Sequence, residues 1–170
     1  LKIMHRELWL LGDKTSEVWF DAGATDFAFQ AMPGAFVPHG CTAVGSIAVY
    51  DLAIYWLGQD AAGANVVFEG AQYRARTVST KAIDREIATY TNPQGALGFT
   101  YLQEGHVFYV LTFPDANVTW VYDIEEQRWH RRCWSDSEGI LNRWRANCFT
   151  AYAGKLLVGD YQNGNIYYLD

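Results

Sequence analysis

The chain has few residues of the kinds that form disulfide frameworks or metal sites. Its three cysteines, Cys41, Cys133 and Cys148, are an odd number and include no Cys-x-x-Cys pair. A disulfide framework is therefore excluded, and synthesis in a reducing cytoplasm is expected. None of the four histidines lies four residues from another, and two arginines follow His130 directly. We therefore expect no metal site and no cofactor.

Long apolar runs are also missing from the sequence. No stretch approaches the roughly 18 to 20 residues of a membrane span. Residues 1–20 lack the charged, apolar and small-residue regions of a signal peptide. With 50% hydrophobic and 19% charged residues, the 170-residue chain can bury the core of one domain. These features predict a soluble globular protein.

Patterns that would indicate catalysis are absent as well. The chain contains neither a Gly-x-x-x-x-Gly-Lys-Ser phosphate loop nor a Gly-x-Ser-x-Gly elbow. Residues 135–139 begin like the Asp-box of sialidase-type glycosidases, but Ser137 replaces its Asp and Asn142 replaces its Trp. Glu125 and Glu126 are expected in a solvated turn, whereas the carboxylates of glycosidases face each other across about 5 to 10 Å. We predict no catalytic residues and no enzyme.

The chain does contain a repeated strand pattern rich in aromatic residues. An apolar strand, a turn signal and a second strand ending in a bulky pair occur four times, with Phe20, Phe68, Tyr122 and Tyr168 separated by 48, 54 and 46 residues. β-branched and aromatic residues favour strands, while Gly, Asn, Asp and Pro favour turns, so each copy predicts a hairpin. Periods of about 40 to 50 residues are typical of β-propeller blades. The hairpins are predicted at residues 8–20, 54–68, 106–122 and 156–168, with Trp19, Phe68, Tyr122 and Tyr168 in equivalent places.

We predict an all-β fold, a β-propeller or partial propeller of about four antiparallel blades in a single domain at residues 1–170. An aromatic-rich β-sandwich is the alternative. Full propellers have about four to eight blades of four strands. The first copy is expected to lack preceding strands and the last to stop before a fourth strand, so a fragment of a longer chain is favoured over a small closed ring. Edge strands at 8–11 and 166–169 would then be exposed.

One segment departs from the strand pattern and predicts a short amphipathic helix. Ile83, Ile87 and Tyr90 are spaced i, i+4 and i+7 behind Ser79 or Thr80 as candidate N-caps. A proline and a glycine follow and are expected to end the helix. We expect this helix, at residues 80–90, to cover the joint between the second and third blades and to be the only sizeable helix.

The acidic chain, with a formal net charge of −6, contains one basic cluster. Three tryptophans interleave with its five arginines, within 18 residues of sequence. In an acidic protein, stacked Arg and Trp residues favour a protein-contact surface, and contact with DNA phosphates is the second interpretation. The candidate partner-contact residues are Arg128, Arg131, Arg132, Arg143, Arg145, Trp134 and Trp144.

Six motifs follow one another in order along nearly the whole chain. They are residues 7–9 (ELW), 17–24 (EVWFDAGA), 78–84 (VSTKAID), 106–111 (HVFYVL), 121–123 (VYD) with Trp129, and 154–160 (GKLLVGD) with 164–167 (GNIY). In this order they resemble the packaged-DNA stabilisation proteins, or tail hub proteins, of short-tailed phages that carry tailspikes. The loop at 26–40 and the arginine cluster depart from that family, so contacts made there are not transferred from it.

The resemblance implies a structural role in a virion tail. Such proteins form a homo-oligomeric ring beneath the portal and adaptor proteins after DNA packaging, plug the channel, and carry the tail needle and tailspikes. It further implies synthesis in the bacterial host cytoplasm from a phage or prophage gene, at most non-specific DNA contact, and no membrane association. An acidic wall of the channel would not hold DNA, because both are negatively charged, and the DNA could later slide out. The alternative function is a carbohydrate-binding or glycosidase-type β-propeller that uses exposed aromatic rings as sugar platforms.

Overall fold

The computed structural model describes residues 1–169 and shows four antiparallel sheets of three or four strands, each formed by strands that are consecutive in sequence. We call these sheets blades 1 to 4. Blade 1 contains β1 (Lys2–Met4), β2 (Glu7–Leu11), β3 (Ser16–Asp21) and β4 (Phe29–Val37). Blade 2 contains β5 (Ala48–Tyr50), β6 (Ala53–Gln59), β7 (Asn65–Ala71) and β8 (Arg74–Thr77). Blade 3 contains β9 (Leu97–Gln103), β10 (His106–Phe113), β11 (Val118–Asp123) and β12 (Arg128–Arg131).

The last part of the chain forms a small hairpin and a further blade. The hairpin consists of β13 (Cys133–Ser135) and β14 (Leu141–Arg143). Blade 4 consists, within the described residues, of β15 (Ala146–Tyr152), β16 (Lys155–Asp160) and β17 (Ile166–Leu169). The predicted all-β, propeller-type fold with one inserted helix is therefore confirmed.

All four predicted hairpins are present as antiparallel strand pairs, but one repeat position was assigned wrongly. Trp19, Phe68 and Tyr122 occupy equivalent positions in the second strand of their hairpins. Phe68 and Tyr122 face the preceding blade. In β17 this place belongs to Tyr167, since Tyr167 pairs with Val158, whereas Tyr168 pairs with Leu157 on the opposite face. A shift of one residue reverses the face of a strand. The equivalence predicted for Tyr168 is thus wrong by one position.

The blades pack face to face through three apolar cores. Trp9 and Val18 of blade 1 meet Trp56 and Phe68 of blade 2, and all four side chains are at most 1% exposed. The faces between blades 2 and 3 and between blades 3 and 4 are built in the same way, mainly from aromatic rings and branched aliphatic side chains. Burial of such side chains is worth about 1.5 to 3 kcal/mol each, so these cores set the blade order.

The first strands of blades 2, 3 and 4 lie side by side, as do the inner strands of a propeller. β5 is next to β9, and β9 is next to β15. The Thr100 hydroxyl donates a hydrogen bond of 2.9 Å to the Val49 carbonyl and joins two of these strands. None of the three strands contains a charged residue. These three strands therefore contribute no carboxylates, and the acidic residues lie in other strands and in turns.

The predicted helix is α1 (Lys81–Ile87), one turn shorter than expected. The Thr80 hydroxyl accepts a hydrogen bond of 3.3 Å from the Ile83 amide, so Thr80 is the N-cap. Ile83 and Ile87 are buried in the core between blades 2 and 3, which confirms the predicted cover over that joint. The described residues also form two 3-10 turns, Val44–Ser46 and Pro93–Gly95. None of the helices in this part of the chain is longer than α1.

The prediction for the first blade edge is wrong, whereas that for the last is confirmed. β1 precedes and pairs with β2, so blade 1 has four strands and residues 8–11 lie in an interior strand. β17 pairs only with β16 and is an edge strand of blade 4 in the described part of the chain. β1 could not be predicted from the sequence because it has only three residues before the turn at His5 and Arg6.

Candidate functional site

The arginine cluster lies where the chain passes from blade 3 to blade 4. The backbone leaves blade 3 with an Arg132 amide hydrogen bond of 3.1 Å to the Thr119 carbonyl. After the β13–β14 hairpin it returns, and the Trp144 amide donates to the Thr119 hydroxyl at 3.1 Å. Asn117 accepts from the Arg143 amide at 3.0 Å and donates to Asn142 at 2.9 Å. Blade 3 therefore fixes both ends of the hairpin.

Residues 135–139, which begin like an Asp-box, form the turn of this hairpin. Asp136 accepts hydrogen bonds from the backbone amides of Ile140 at 2.8 Å and Glu138 at 3.0 Å. These bonds, that of Ile140 first, hold the pKa of the Asp136 carboxyl below its usual range. The carboxylate thus stabilises a turn by accepting backbone N–H groups.

Arg132 is enclosed by aromatic rings of blade 3 and the linking segment. Its guanidinium carbon lies 4.8 Å from the centre of the Trp144 ring, 5.6 Å from that of Phe108 and 5.7 Å from that of Tyr101. It also donates a hydrogen bond to the Tyr101 hydroxyl. A cation over aromatic faces stabilises a fold by about 0.5 to 2 kcal/mol. Arg132 and Trp144 therefore belong to the packing between blades 3 and 4.

Arg145 also binds within its own chain. Its Nη2 lies 2.7 Å from Oδ2 of Asp160, whose side chain is 2% exposed. The guanidinium carbon is 5.3 Å from the centre of the Trp134 ring. Arg145 thus links the segment before blade 4 to the end of β16 and compensates a buried carboxylate.

Arg131 and Arg143 make contacts closer to solvent. Arg131 forms an ion pair with Glu86 of α1 and lies 4.9 Å from the Trp120 ring centre, with half of its side chain exposed. Arg143 stacks on Tyr161 at 3.6 Å. Both arginines therefore retain solvent-facing surface while their positions are fixed by the fold.

Arg128 alone in this cluster has neither an ion pair nor a ring contact within residues 1–169, and it is exposed on β12. His130 follows two residues later. Partial desolvation, and then the positive charge of Arg132, lower the pKa of His130 and so favour its neutral ring. The freely available positive charge is consequently smaller than the five arginines of the sequence pattern suggested.

The acidic residues near this region serve local structure. Oδ1 of Asp123 accepts from the Glu125 and Glu126 amides at 3.0 and 3.1 Å, and its Oδ2 lies 2.8 Å from Nδ1 of His106. Glu125 and Glu126 are exposed in the turn after β11, as predicted. The sequence offered no means of finding Tyr101, Tyr161, Asp160 or Glu86 as partners of the arginines, because these contacts join residues distant in sequence.

Two clefts between blades 1 and 2 are large enough to hold a small ligand. One, of about 430 Å³, is lined by Met4, Trp9 and Leu52, with Glu7 as its one carboxylate. The other, of about 370 Å³, is lined by Asp13 and Asp60 among other residues. Asp60 Oδ1 accepts the amides of Ala62 and Ala64, each at 2.9 Å, and so organises a turn.

No group of three or more His, Cys, Asp or Glu within residues 1–169 is placed to hold a metal ion. None of the helices in that range has the length and apolar character needed to cross a bilayer. A stack of antiparallel blades that pack face to face defines a β-propeller-type protein. The chain belongs to the family described as bacteriophage P22 Gp10, beta-propeller, whose model matches residues 1–170.

This assignment makes the chain a phage structural protein of the packaged-DNA stabilisation class and a component of the virion. The resemblance found in the order of the six sequence motifs is thereby confirmed. No curated protein matches the chain.

Proposed function

We propose that the chain acts in the tail hub that closes the portal channel after DNA packaging and retains the packaged DNA. The observation that carries this proposal is the match of the family model over residues 1–170. The stacked blades support it, because packed sheets with large aromatic cores give a rigid body suited to resisting pressure. The virion tail is the proposed location, after synthesis in the host cytoplasm from a phage or prophage gene.

The proposed partners are the portal and adaptor proteins, the tail needle and the tailspikes, with further copies of the chain in a ring. The outer edge of blade 3 supplies a candidate contact surface for one of these proteins. Arg128 and Arg131 project from opposite faces of its edge strand β12, and Trp134 lies on the hairpin that follows. Arginine and tryptophan are enriched at the centres of protein interfaces, and the fold already fixes Arg131 and Trp134 in place. DNA phosphates are the second candidate for the same surface, but a chain with a net charge of −6 offers them little general attraction.

We further propose that the chain catalyses no reaction and takes no cofactor. The carboxylates described above accept backbone hydrogen bonds in turns or pair with basic side chains. Purified protein should hydrolyse no glycoside, ester or nucleotide in standard assays. Turnover that a single Asp or Glu substitution abolishes would contradict this proposal.

The experiment that tests the function is complementation in the phage that encodes the chain. Removing the gene should give capsids that package DNA and then lose it, and a plasmid-borne copy should restore retention. DNA content of purified particles, measured by density-gradient sedimentation and quantitative PCR, distinguishes the outcomes. Particles that retain a full genome without the chain would refute the proposal.

A further inference from the structure

The β13–β14 hairpin between blades 3 and 4 presents an apolar tip. Ile140 and Leu141 are adjacent at the end of its turn and are 57% and 67% exposed. Asp136 fixes this turn through the amides of Glu138 and Ile140, and blade 3 holds both ends of the hairpin. A rigid element loses little conformational freedom when it binds. The two aliphatic side chains are therefore held in place for contact with another surface.

The larger cleft between blades 1 and 2 is mainly apolar. Its volume of about 430 Å³ lies within the range of roughly 300 to 1,000 Å³ that is usual for ligand pockets. The buried Met4 and Trp9 line it, together with Leu52, which is 56% exposed. Its one carboxylate, that of Glu7, accepts a hydrogen bond of 2.5 Å from the Tyr73 hydroxyl. With this carboxylate already bonded, the cleft suits an aliphatic side chain.

The hairpin and this cleft lie at opposite ends of the blades. In an antiparallel four-stranded blade the first and third turns lie at one end and the second turn lies at the other. The cleft is lined from first and third turns, by His5, Leu52 and Gln72. The hairpin contacts Asn117 in the second turn of blade 3. The segments that lead into β5 and β9 contact each other, so blades 2 and 3 have the same orientation. The hairpin of one copy therefore does not reach the cleft of the same copy.

The tip and the cleft also carry opposite charges. Glu138, in the turn of the hairpin, is exposed and forms no ion pair within residues 1–169. The same holds for Arg6 in the described part of the chain, and Arg6 lies between two residues that line the cleft. Asp51 is on a separate turn, before Leu52. Opposite charges favour contact and set its orientation, which here places Glu138 on the Arg6 side of the cleft.

We propose that the tip of the β13–β14 hairpin binds the cleft between blades 1 and 2 of a second copy of the chain. One aliphatic side chain of the tip fills the cleft, the other covers Leu52, and Glu138 pairs with Arg6. Because the two surfaces differ, each copy uses its hairpin on one neighbour and its cleft on another. Such a contact closes into a ring when the rotation between successive copies allows it. The proposal rests on the ring of copies proposed above and supplies its surfaces.

Sedimentation velocity of the purified chain tests the proposal. The parent should form concentration-dependent species, including some larger than twice 19.3 kDa. Leu141→Asp in the tip and Leu52→Asp in the cleft each place a charge in an apolar contact, and each should raise the dissociation constant at least about tenfold. Val44→Asp is the matched control, because Val44 is 74% exposed and belongs to neither surface, and it should associate like the parent. Circular dichroism establishes that all three variants fold.

A mixture of the two variants gives the most specific test. The Leu141→Asp copy keeps its cleft and the Leu52→Asp copy keeps its hairpin tip. The mixture should therefore form one-to-one dimers and no larger species, although neither variant associates alone. A parent that stays monomeric at all concentrations overturns the proposal and leaves the tip to a different tail protein. Association that only one variant weakens, or a mixture without dimers, also overturns it. The test uses the purified chain alone, so its failure is separate from failure of the DNA-retention experiment.

Discussion

Individual arginines of the cluster differ in what they do for the fold, although they look alike in sequence. Arg145 pairs with a carboxylate that is 2% exposed, whereas the Arg131 side chain in its pair with Glu86 is 50% exposed. Removing one partner of a buried ion pair leaves an uncompensated charge and costs about 3 kcal/mol or more. Loss of an exposed ion pair lowers the free energy of unfolding by about 1 kcal/mol or less.

We therefore expect Arg145→Ser to lower the free energy of unfolding by about 3 kcal/mol and Arg131→Ser by about 1 kcal/mol or less. Urea denaturation followed by tryptophan fluorescence measures both. Arg145→Lys is the control, since it retains the charge and should recover part of the loss. Equal losses in the two serine variants would show that burial of Asp160 does not govern the effect.

Asp123 makes the stability of the chain depend on pH. Desolvation opposes ionisation of this carboxyl, but the Glu126 amide, the His106 ring and the Glu125 amide outweigh it and lower the pKa. A carboxyl with a lowered pKa in the folded state contributes stability above its unfolded pKa of about 3.9. That contribution is lost as the pH falls through the lower, folded-state value.

Asp123→Asn should consequently lower the free energy of unfolding by about 1 to 2 kcal/mol at pH 7. At pH 3 the free energies of unfolding of the variant and the parent should differ less. The measurement is the urea midpoint of both proteins across pH 3 to 7. Asp21→Asn serves as the control, since Asp21 is exposed and accepts a single amide hydrogen bond from Gly23. A difference between the parent and Asp123→Asn that stays constant over this range would contradict the assignment.

Among the elements, α1 depends on its first residues because it is only seven residues long. Its N-cap Thr80 accepts the Ile83 amide, and Ser79 bridges Asp84 at 2.5 Å and the Val67 amide at 3.0 Å. Thr80→Ala should lower the free energy of unfolding by about 1 kcal/mol. Thr80→Ser retains the hydroxyl and should behave like the parent. A loss in Thr80→Ser as large as that in Thr80→Ala would indicate that the methyl group, and not the cap, matters.

The elements also show how far the sequence can be interpreted. The four central hairpins were predictable because each carries aromatic or β-branched residues on both sides of a clear turn. β1, β13 and β14 have three residues each, too few to show a period. The assignment of Tyr168 failed because Tyr167 and Tyr168 are adjacent and chemically alike, and only pairing with β16 decides which faces blade 3. The arginine contacts were not predictable because their partners lie on other elements.

At the scale of the whole molecule, the arginine cluster combines fold-stabilising and exposed members. Changing Arg131, Arg132, Arg143 and Arg145 together would not isolate the surface charge, because Arg132 packs on aromatic rings and Arg145 neutralises Asp160. Arg128→Ser with Arg131→Ser removes two exposed charges and leaves the packing between blades 3 and 4 intact. Lys2→Ser with Arg74→Ser is a control of equal charge change on blades 1 and 2.

The Arg128 and Arg131 double variant should fold and be excluded from DNA-filled particles, because we propose that this surface contacts another tail protein. Immunoblots of purified particles measure incorporation, and particle DNA content measures retention. If the surface contacts phosphates instead, the variant joins particles normally and only DNA retention falls. The retention of the variant should then depend less steeply on salt than that of the parent, because fewer counterions are released on binding. A variant that joins and retains DNA like the parent and the control would show that Arg128 and Arg131 form an ordinary solvated face, and the partner contact would have to lie on another surface of the blades.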